Sequence, residues 1–226
     1  MVIRYEDGTE ELFVTDESWS GADAPVVFAE IYDGEIYDGA KEIKGWSEAG
    51  CTAGQWKPVR KLDYDFSVLT GQGSGKVSLM DEVKPKEIFE TPEGDLVIDF
   101  GQNMSALIQV TATGKKGDVI RLDCFEVLDS KGNVYLDNLR GAKESLQYTF
   151  GEDGTITYRP SFTFMGFRYA KIVSFPGTPE PGNFIAHAIH TNMERTGFLE
   201  TSNPDLNQLA HNILWGLKSN FVDVPT

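Results

Sequence analysis

Cysteine is scarce in this chain of 226 residues, and the two present, Cys51 and Cys124, stand far apart in unrelated contexts. That spacing argues against a disulfide framework or a metal knuckle, and both are expected as free thiols. Basic residues are also few, 20 Lys and Arg against 35 Asp and Glu, for a net charge of −15. Sequence-independent nucleic-acid binding needs clustered cations to displace counterions from phosphates, so nucleic acid is not expected as a partner. An anionic membrane surface is disfavoured for the same reason. Long apolar runs are missing, so no segment is expected to cross a bilayer. The start, Met1-Val2-Ile3-Arg4-Tyr5-Glu6-Asp7-Gly8, is no signal peptide, which favours a cytoplasmic location without fixing one. Neither a Gly-x-Ser-x-Gly elbow nor a phosphate loop occurs. No cofactor is expected.

What is present suits short strands joined by turns: 40% hydrophobic and 12% aromatic residues, with 23 Gly and 10 Pro. Val2-Ile3-Arg4-Tyr5, the turn Glu6-Asp7-Gly8 and Glu10 to Val14 read as a hairpin. A short duplication follows, Glu30-Ile31-Tyr32-Asp33-Gly34 and Glu35-Ile36-Tyr37-Asp38-Gly39, too brief for a repeat architecture. Beyond a Gly- and Ser-rich stretch at 70–75, strands are expected at 87–90, 96–100, 107–112, 119–126, 145–150, 155–160, 168–173 and 183–190. Strands at this spacing without interleaved helices predict an all-β, antiparallel β-sandwich of jelly-roll or concanavalin-like type.

One amphipathic helix closes the chain. Leu206, Leu209, Ala210, Ile213, Leu214 and Leu217 share a helical stripe, and Ser202 or Asn203 caps it ahead of Pro204. A stripe left without cover should seek burial against its own sandwich or a second molecule, so a dimer through this helix is expected.

Candidate chemistry is sparse. Glu30, Asp33, Glu35 and Asp38 could supply oxygens to calcium, with Asp33 and Asp38 as the sharper candidates, or they are solvated carboxylates of two Asp-Gly turns. His187 and His190, three apart in a strand, point to opposite faces and read as surface or half-buried residues. Trp19 and Tyr37, with Trp46, Trp56 and Tyr32, could form a sugar-stacking platform or serve as core and cross-strand pairs. An inverting glycosidase needs two carboxylates about 6.5–9.5 Å apart, a separation no sequence fixes.

Several phrases carry more. Asp99-Phe100-Gly101-Gln102-Asn103-Met104, Glu126-Val127-Leu128-Asp129, Asn138-Leu139-Arg140-Gly141-Ala142 and Gly166-Phe167-Arg168-Tyr169 resemble the central sandwich of bacterial α-L-rhamnosidases. Glu194 to Phe198, Ser202-Asn203-Pro204 and Asn220 to Thr226 look like that family's passage into its helical barrel. Met165 departs from the pattern, standing where relatives commonly have His. The resemblance implies a fragment of three parts: residues 1–78 as the C-terminal part of a jelly-roll module, 79–191 as the sandwich, and 192–226 as the start of a truncated (α/α)₆ catalytic domain. It implies a parent enzyme that hydrolyses terminal α-L-rhamnosyl groups with inversion, and a rhamnose-containing glycoside and the missing barrel as partners. No catalytic residue of the family carries over onto a position present here. Asp99, Asn103, Asn138 and Arg140 are expected in structural or interdomain roles, or at the rim of the sugar pocket. The alternative function is a carbohydrate-binding module for rhamnose-containing glycans without hydrolysis.

Overall fold

Strict alternation of buried and half-exposed residues from Met104 to Ala112 makes one strand the axis of the molecule. Met104, Ala106, Ile108, Val110 and Ala112 are buried, while Ser105, Leu107, Gln109 and Thr111 are less so. In chain order the strands are β1 (Val2–Arg4), β2 (Glu10–Leu12), β3 (Ser20–Gly21), β4 (Val26–Glu30), β5 (Gly34–Asp38), β6 (Lys57–Pro58), β7 (Val77–Val83), β8 (Glu87–Glu90), β9 (Leu96–Gly114), β10 (Val119–Phe125), β11 (Val127–Leu128), β12 (Val134–Tyr135), β13 (Ser145–Thr149), β14 (Gly154–Tyr158), β15 (Met165–Ser174) and β16 (Phe184–Thr191). They are followed by helix α1 (Pro204–Asn220) and two short strands, β17 (Phe221–Val222) and β18 (Val224–Pro225). This computed structural model describes residues 1–225 apart from Gln72 and Ser74. Those two residues of the 70–75 stretch, and Thr226 of the closing phrase, lie outside the described residues.

Two compact units form, Met1–Ala24 with Lys41–Gly71, and Pro25–Ala40 with Gln72–Thr226. In the first, β1 and β2 pair as the expected hairpin, with Gly8 at φ 84 closing the turn and β3 pairing β6. In the second, the sheet runs β4-β5-β13-β10-β15-β9-β16-β7, and β8 and β14 also pair with β9. The sheet is mixed, which corrects the expectation of a purely antiparallel sandwich: β5 lies parallel to β13, Gly34 opposite Ser145. Residues 26–38 thus join the sandwich sheet. The parallel approach demands glycine, because at φ 100 a side chain on Gly34 would collide with the Ser145 carbonyl.

Two stretches read as separate strands, 96–100 and 107–112, are one long strand that bends at Gly101, where φ is 74. The flanking halves make different partnerships, Ile98 with Ile88 of β8 and Ile108 with Ala186 of β16. Phe100, Leu122, Leu146, Phe167 and Phe184 fill the core beneath them. Tyr37 stacks on Tyr148 at 5.2 Å between ring centres, and Tyr148 meets Phe150 edge-on at 5.3 Å.

Helix α1 begins as its sequence specifies: the Asn203 side chain accepts from the Asp205 N–H at 2.8 Å, and Pro204 occupies the first turn. Only part of the apolar stripe faces the sheet. Trp215 packs against the core, while Leu206, Leu209, Ile213 and Leu217 remain about half exposed or more. The Ser105 hydroxyl donates to the Ser219 carbonyl at 2.7 Å, and Lys218 pairs with Asp81 at 2.6 Å. Among the described residues no helix is long and apolar enough to cross a membrane.

The deepest polar group is Glu35, 1% exposed. Its carboxylate accepts from the Tyr158 hydroxyl at 2.5 Å, the Ser161 N–H at 3.0 Å and the Phe162 N–H at 2.8 Å. Burial first, and then the bonded carboxylate, push the Tyr158 phenol far above its ordinary range. Replacing Glu35→Ala leaves the buried Tyr158 hydroxyl and two part-buried amides without their acceptor and is expected to cost about 3 kcal/mol in urea unfolding of this chain.

Candidate functional site

Gly101 turns β9 between the segment paired with β8 and the segment paired with β16, and Gln102 and Asn103 there face the C-terminal half of α1. Between them lies a cleft of about 410 Å³ whose walls include Gln102, Asn103, Glu126, Asn212, Trp215 and Asn220. Ser105 also lines it, and its bond to Ser219 ties the two walls together.

Asn103 and Asn138, which the sequence singled out, converge on one carboxylate. Asn103 Nδ2 donates to Glu126 Oε1 at 3.0 Å, and Asn138 Nδ2 to Glu126 Oε2 at 2.9 Å. Behind this group sits Glu144, at φ 44, whose Oε2 is buried without a partner among the described residues. Burial is the main cause that pushes its carboxyl up to about 7; the Glu126 charge adds to the rise, and the Gly166 N–H opposes it.

Asp99 forms a separate tie. Its carboxylate receives the Arg168 fork through two bonds of 2.8 Å and the Gly101 N–H at 2.6 Å. Burial alone would raise its carboxyl, but the Arg168 and Gly101 hydrogen bonds outweigh burial and leave it below the usual range. Arg168 also lies over the Tyr169 ring at 4.8 Å. Arg140 stands apart from this cluster, exposed, at φ 57 after the turn Asp137–Leu139. The bend at Gly101 is thereby held from both sides.

The other expected residues are dispersed. Tyr37 is inside the aromatic cluster of the sheet, whereas Trp19 is 51% exposed in the first unit. Asp33 pairs with Lys143 at 2.7 Å, and Asp38 accepts the Ala40 N–H at 3.0 Å. Glu30 accepts the N–H groups of Tyr32 and Asp33 at 2.6 and 2.9 Å. These four carboxylates serve separate bonds, local for Glu30 and Asp38 and long-range for Asp33 and the buried Glu35. Among the described residues no group of three or more His, Cys, Asp or Glu is placed to hold a metal ion. His187 and His190 are buried, not half exposed, because both faces of β16 are covered: every residue from Ala186 to Thr191 is buried, on both parities. His190 Nδ1 lies 2.9 Å from the Thr191 carbonyl, so that nitrogen carries the proton, and Nε2 faces Asp81 at 3.8 Å. Met165 is buried core. Glu126 and Arg168 stood in the quoted phrases without a role of their own, and Glu144 and Trp215 were not singled out; nothing in their spacing marks the partners they meet.

Family models match nearly the whole chain in three consecutive pieces: the α-L-rhamnosidase N-terminal domain over residues 1–81, the bacterial α-L-rhamnosidase concanavalin-like domain over 89–190, and the bacterial α-L-rhamnosidase 6 hairpin glycosidase domain over 194–226. The chain belongs to the α-L-rhamnosidase family. The α-L-rhamnosidase of Streptomyces avermitilis is 37% identical over 99% of this chain, and that of Alteromonas sp. (strain LOR) 34% identical over 99%. The solved structure of the Streptomyces avermitilis α-L-rhamnosidase in complex with L-rhamnose superposes with a TM-score of 0.93 over 100% of this chain and 22% of its own. That of the Aspergillus terreus α-L-rhamnosidase gives 0.91 at 35% identity, over 100% of this chain and 26% of its own. The chain therefore spans 22% to 25% of the length of the two curated rhamnosidases named here.

Glu144 gives this rhamnosidase sandwich a pH dependence. Its carboxyl is raised from 4.5 to about 7, so between those values the folded chain holds a proton that the unfolded chain has released. Stability contributed by this group is full below the lower value and is lost as pH rises through the upper one. Glu144→Gln should therefore be more stable than the parent chain by about 1–2 kcal/mol at about pH 8, and equal to it near pH 4. Urea melts across that range measure the difference.

Proposed function

We propose that this chain is the non-catalytic β-sandwich portion of an α-L-rhamnosidase whose parent enzyme hydrolyses terminal α-L-rhamnosyl residues from glycosides with inversion. The observation that carries this is the match of residues 1–81, 89–190 and 194–226, in that order, to three successive rhamnosidase domain models. In this reading residues 1–78 end a jelly-roll module that lends its 26–38 segment to the sandwich sheet, 79–191 form the body of the sandwich, and 192–226 begin the catalytic domain. The general acid and base belong to that domain's remainder. Asp99, Asn103 and Asn138 act as ties within the sandwich: each has its side chain engaged in a bond between separate segments.

The exposed Leu206, Leu209, Ile213 and Leu217 are the face on which the rest of the helical domain packs. In the 226-residue chain alone that face is expected to bring two copies together. Light scattering should show a dimer that Ile213→Glu converts to a monomer; a monomeric parent chain would sink this expectation.

The functional test uses an aryl α-L-rhamnoside. The pure 226-residue chain should release no aryl alcohol above a blank, while a longer polypeptide that continues into a complete helical domain should turn it over with inverted product. Turnover by the short chain would overturn the assignment of catalysis to other residues.

A further inference from the structure

The cleft between β9 and α1 carries hydrogen-bonding groups that the fold leaves unused. Asn103 spends its Nδ2 on Glu126, and among the described residues its Oδ1 has no protein partner. Asn212 is the converse: its Oδ1 accepts from Gln208 Nε2 at 2.8 Å, and its Nδ2 is uncommitted. Gln102 spends Nε2 on the Asn103 carbonyl at 2.8 Å and keeps Oε1. Each Glu126 oxygen has taken one amide donor and retains a further lone pair. A donor on one wall and acceptors on the other therefore surround the same space.

Charge narrows what this space suits. Among the described residues no Lys, Arg or His lines the cleft, and the neighbouring Lys218 is already paired with Asp81, so little there compensates an anion. The one carboxylate at the wall is already met by two amides, which weakens its pull on a cation. Hydroxyl groups, which donate and accept at once, match such a lining without requiring a counter-charge. The Trp215 indole supplies an apolar wall, and Lys218 already lies 4.6 Å from that ring's centre and helps fix it. A volume of about 410 Å³ lies near the lower end of small-molecule sites, which run roughly from 300 to 1,000 Å³, and suits one sugar ring better than a chain of them.

We propose that the cleft walled by Gln102, Asn103, Glu126, Asn212 and Trp215 is a binding site for a single neutral pyranose, separate from the aromatic residues Trp19 and Tyr37. Glu126 and Asn103 accept from ring hydroxyls, Asn212 donates to one, and Trp215 covers the less polar side of the ring. Asn138 does not touch the sugar and acts as a positioning residue, holding the Glu126 carboxylate toward the cleft. Hydrolysis by a longer polypeptide and sugar binding here are distinct properties, each read by its own measurement.

The test follows the Trp215 indole N–H resonance of the isotope-labelled 226-residue chain, assigned with Trp215→Phe, during titration with L-rhamnose. A saturable shift with a Kd of about 1 mM is expected for a ligand of this size. Asn103→Ala and Asn212→Ala should each weaken it by about fivefold or more. Asn212 is exposed on α1, so its replacement by Ala leaves the helix intact and keeps the test readable if Asn103→Ala unfolds. No shift at about 50 mM L-rhamnose would overturn the proposal, that concentration being far above the expected Kd. A shift untouched by both variants, or an equal shift with inorganic phosphate, would overturn it as well. If the longer polypeptide hydrolyses its glycoside while this shift is absent, the cleft assignment alone falls.

Discussion

The second unit depends on a charge that has been taken out of water. Glu35 lies at the head of β5, and its carboxylate holds the Tyr158 hydroxyl at the end of β14 and two successive amides of the segment after it. A buried carboxylate is tolerated only when its oxygens are met by donors, and here three donors come from parts of the chain far from β5 in sequence. The bond also fixes direction. β5 enters the sheet parallel to β13, and the side chain that follows Gly34 must turn inward for Glu35 to reach its donors. Gly34 makes the approach possible; Glu35 makes it unique.

A second carboxylate cluster at the edge of the same sheet is organised on a different rule. Glu126 is partly exposed and accepts from two amides, whereas Glu144 is held in a left-handed backbone conformation with one oxygen buried and unpaired. Strain and an unmet polar atom in one residue are costs that a purely structural turn would shed. Burial first, and then the Glu126 charge, favour the protonated form of the Glu144 carboxyl. Asp99, by contrast, has its charge answered by Arg168, and together they clamp the bend at Gly101 that sets Gln102 and Asn103 in place.

Much of this architecture was legible beforehand because it rests on local rules. The Asp7-Gly8 hairpin, the Asn203-Pro204 helix start and the alternation along β9, β10 and β15 are readable residue by residue, and the phrases around Asp99, Asn138 and Gly166 carried the family. Pairings between distant segments were not legible. Nothing in Glu30 to Gly39 announces that its second half will lie parallel to β13, so a run of turn carboxylates resembled a cation loop when one of them was a buried anchor. Asn103 and Asn138 were visible as unusual polar residues, but their shared partner Glu126 was hidden among 35 acidic residues. His187 and His190 looked exposed because strand parity alone does not say that both faces of β16 are covered.

The pairing of β5 with β13 also has a history in time. Glu35 and Tyr158 are separated by 123 positions, so their contact closes a very large loop and regains little until the strands between them have assembled. β9, β10, β15 and β16 share closer pairings and an apolar core, and they supply the surface on which β5 can dock. The loop that Glu35 and Tyr158 close is repaid only by a sheet whose intervening strands are already paired.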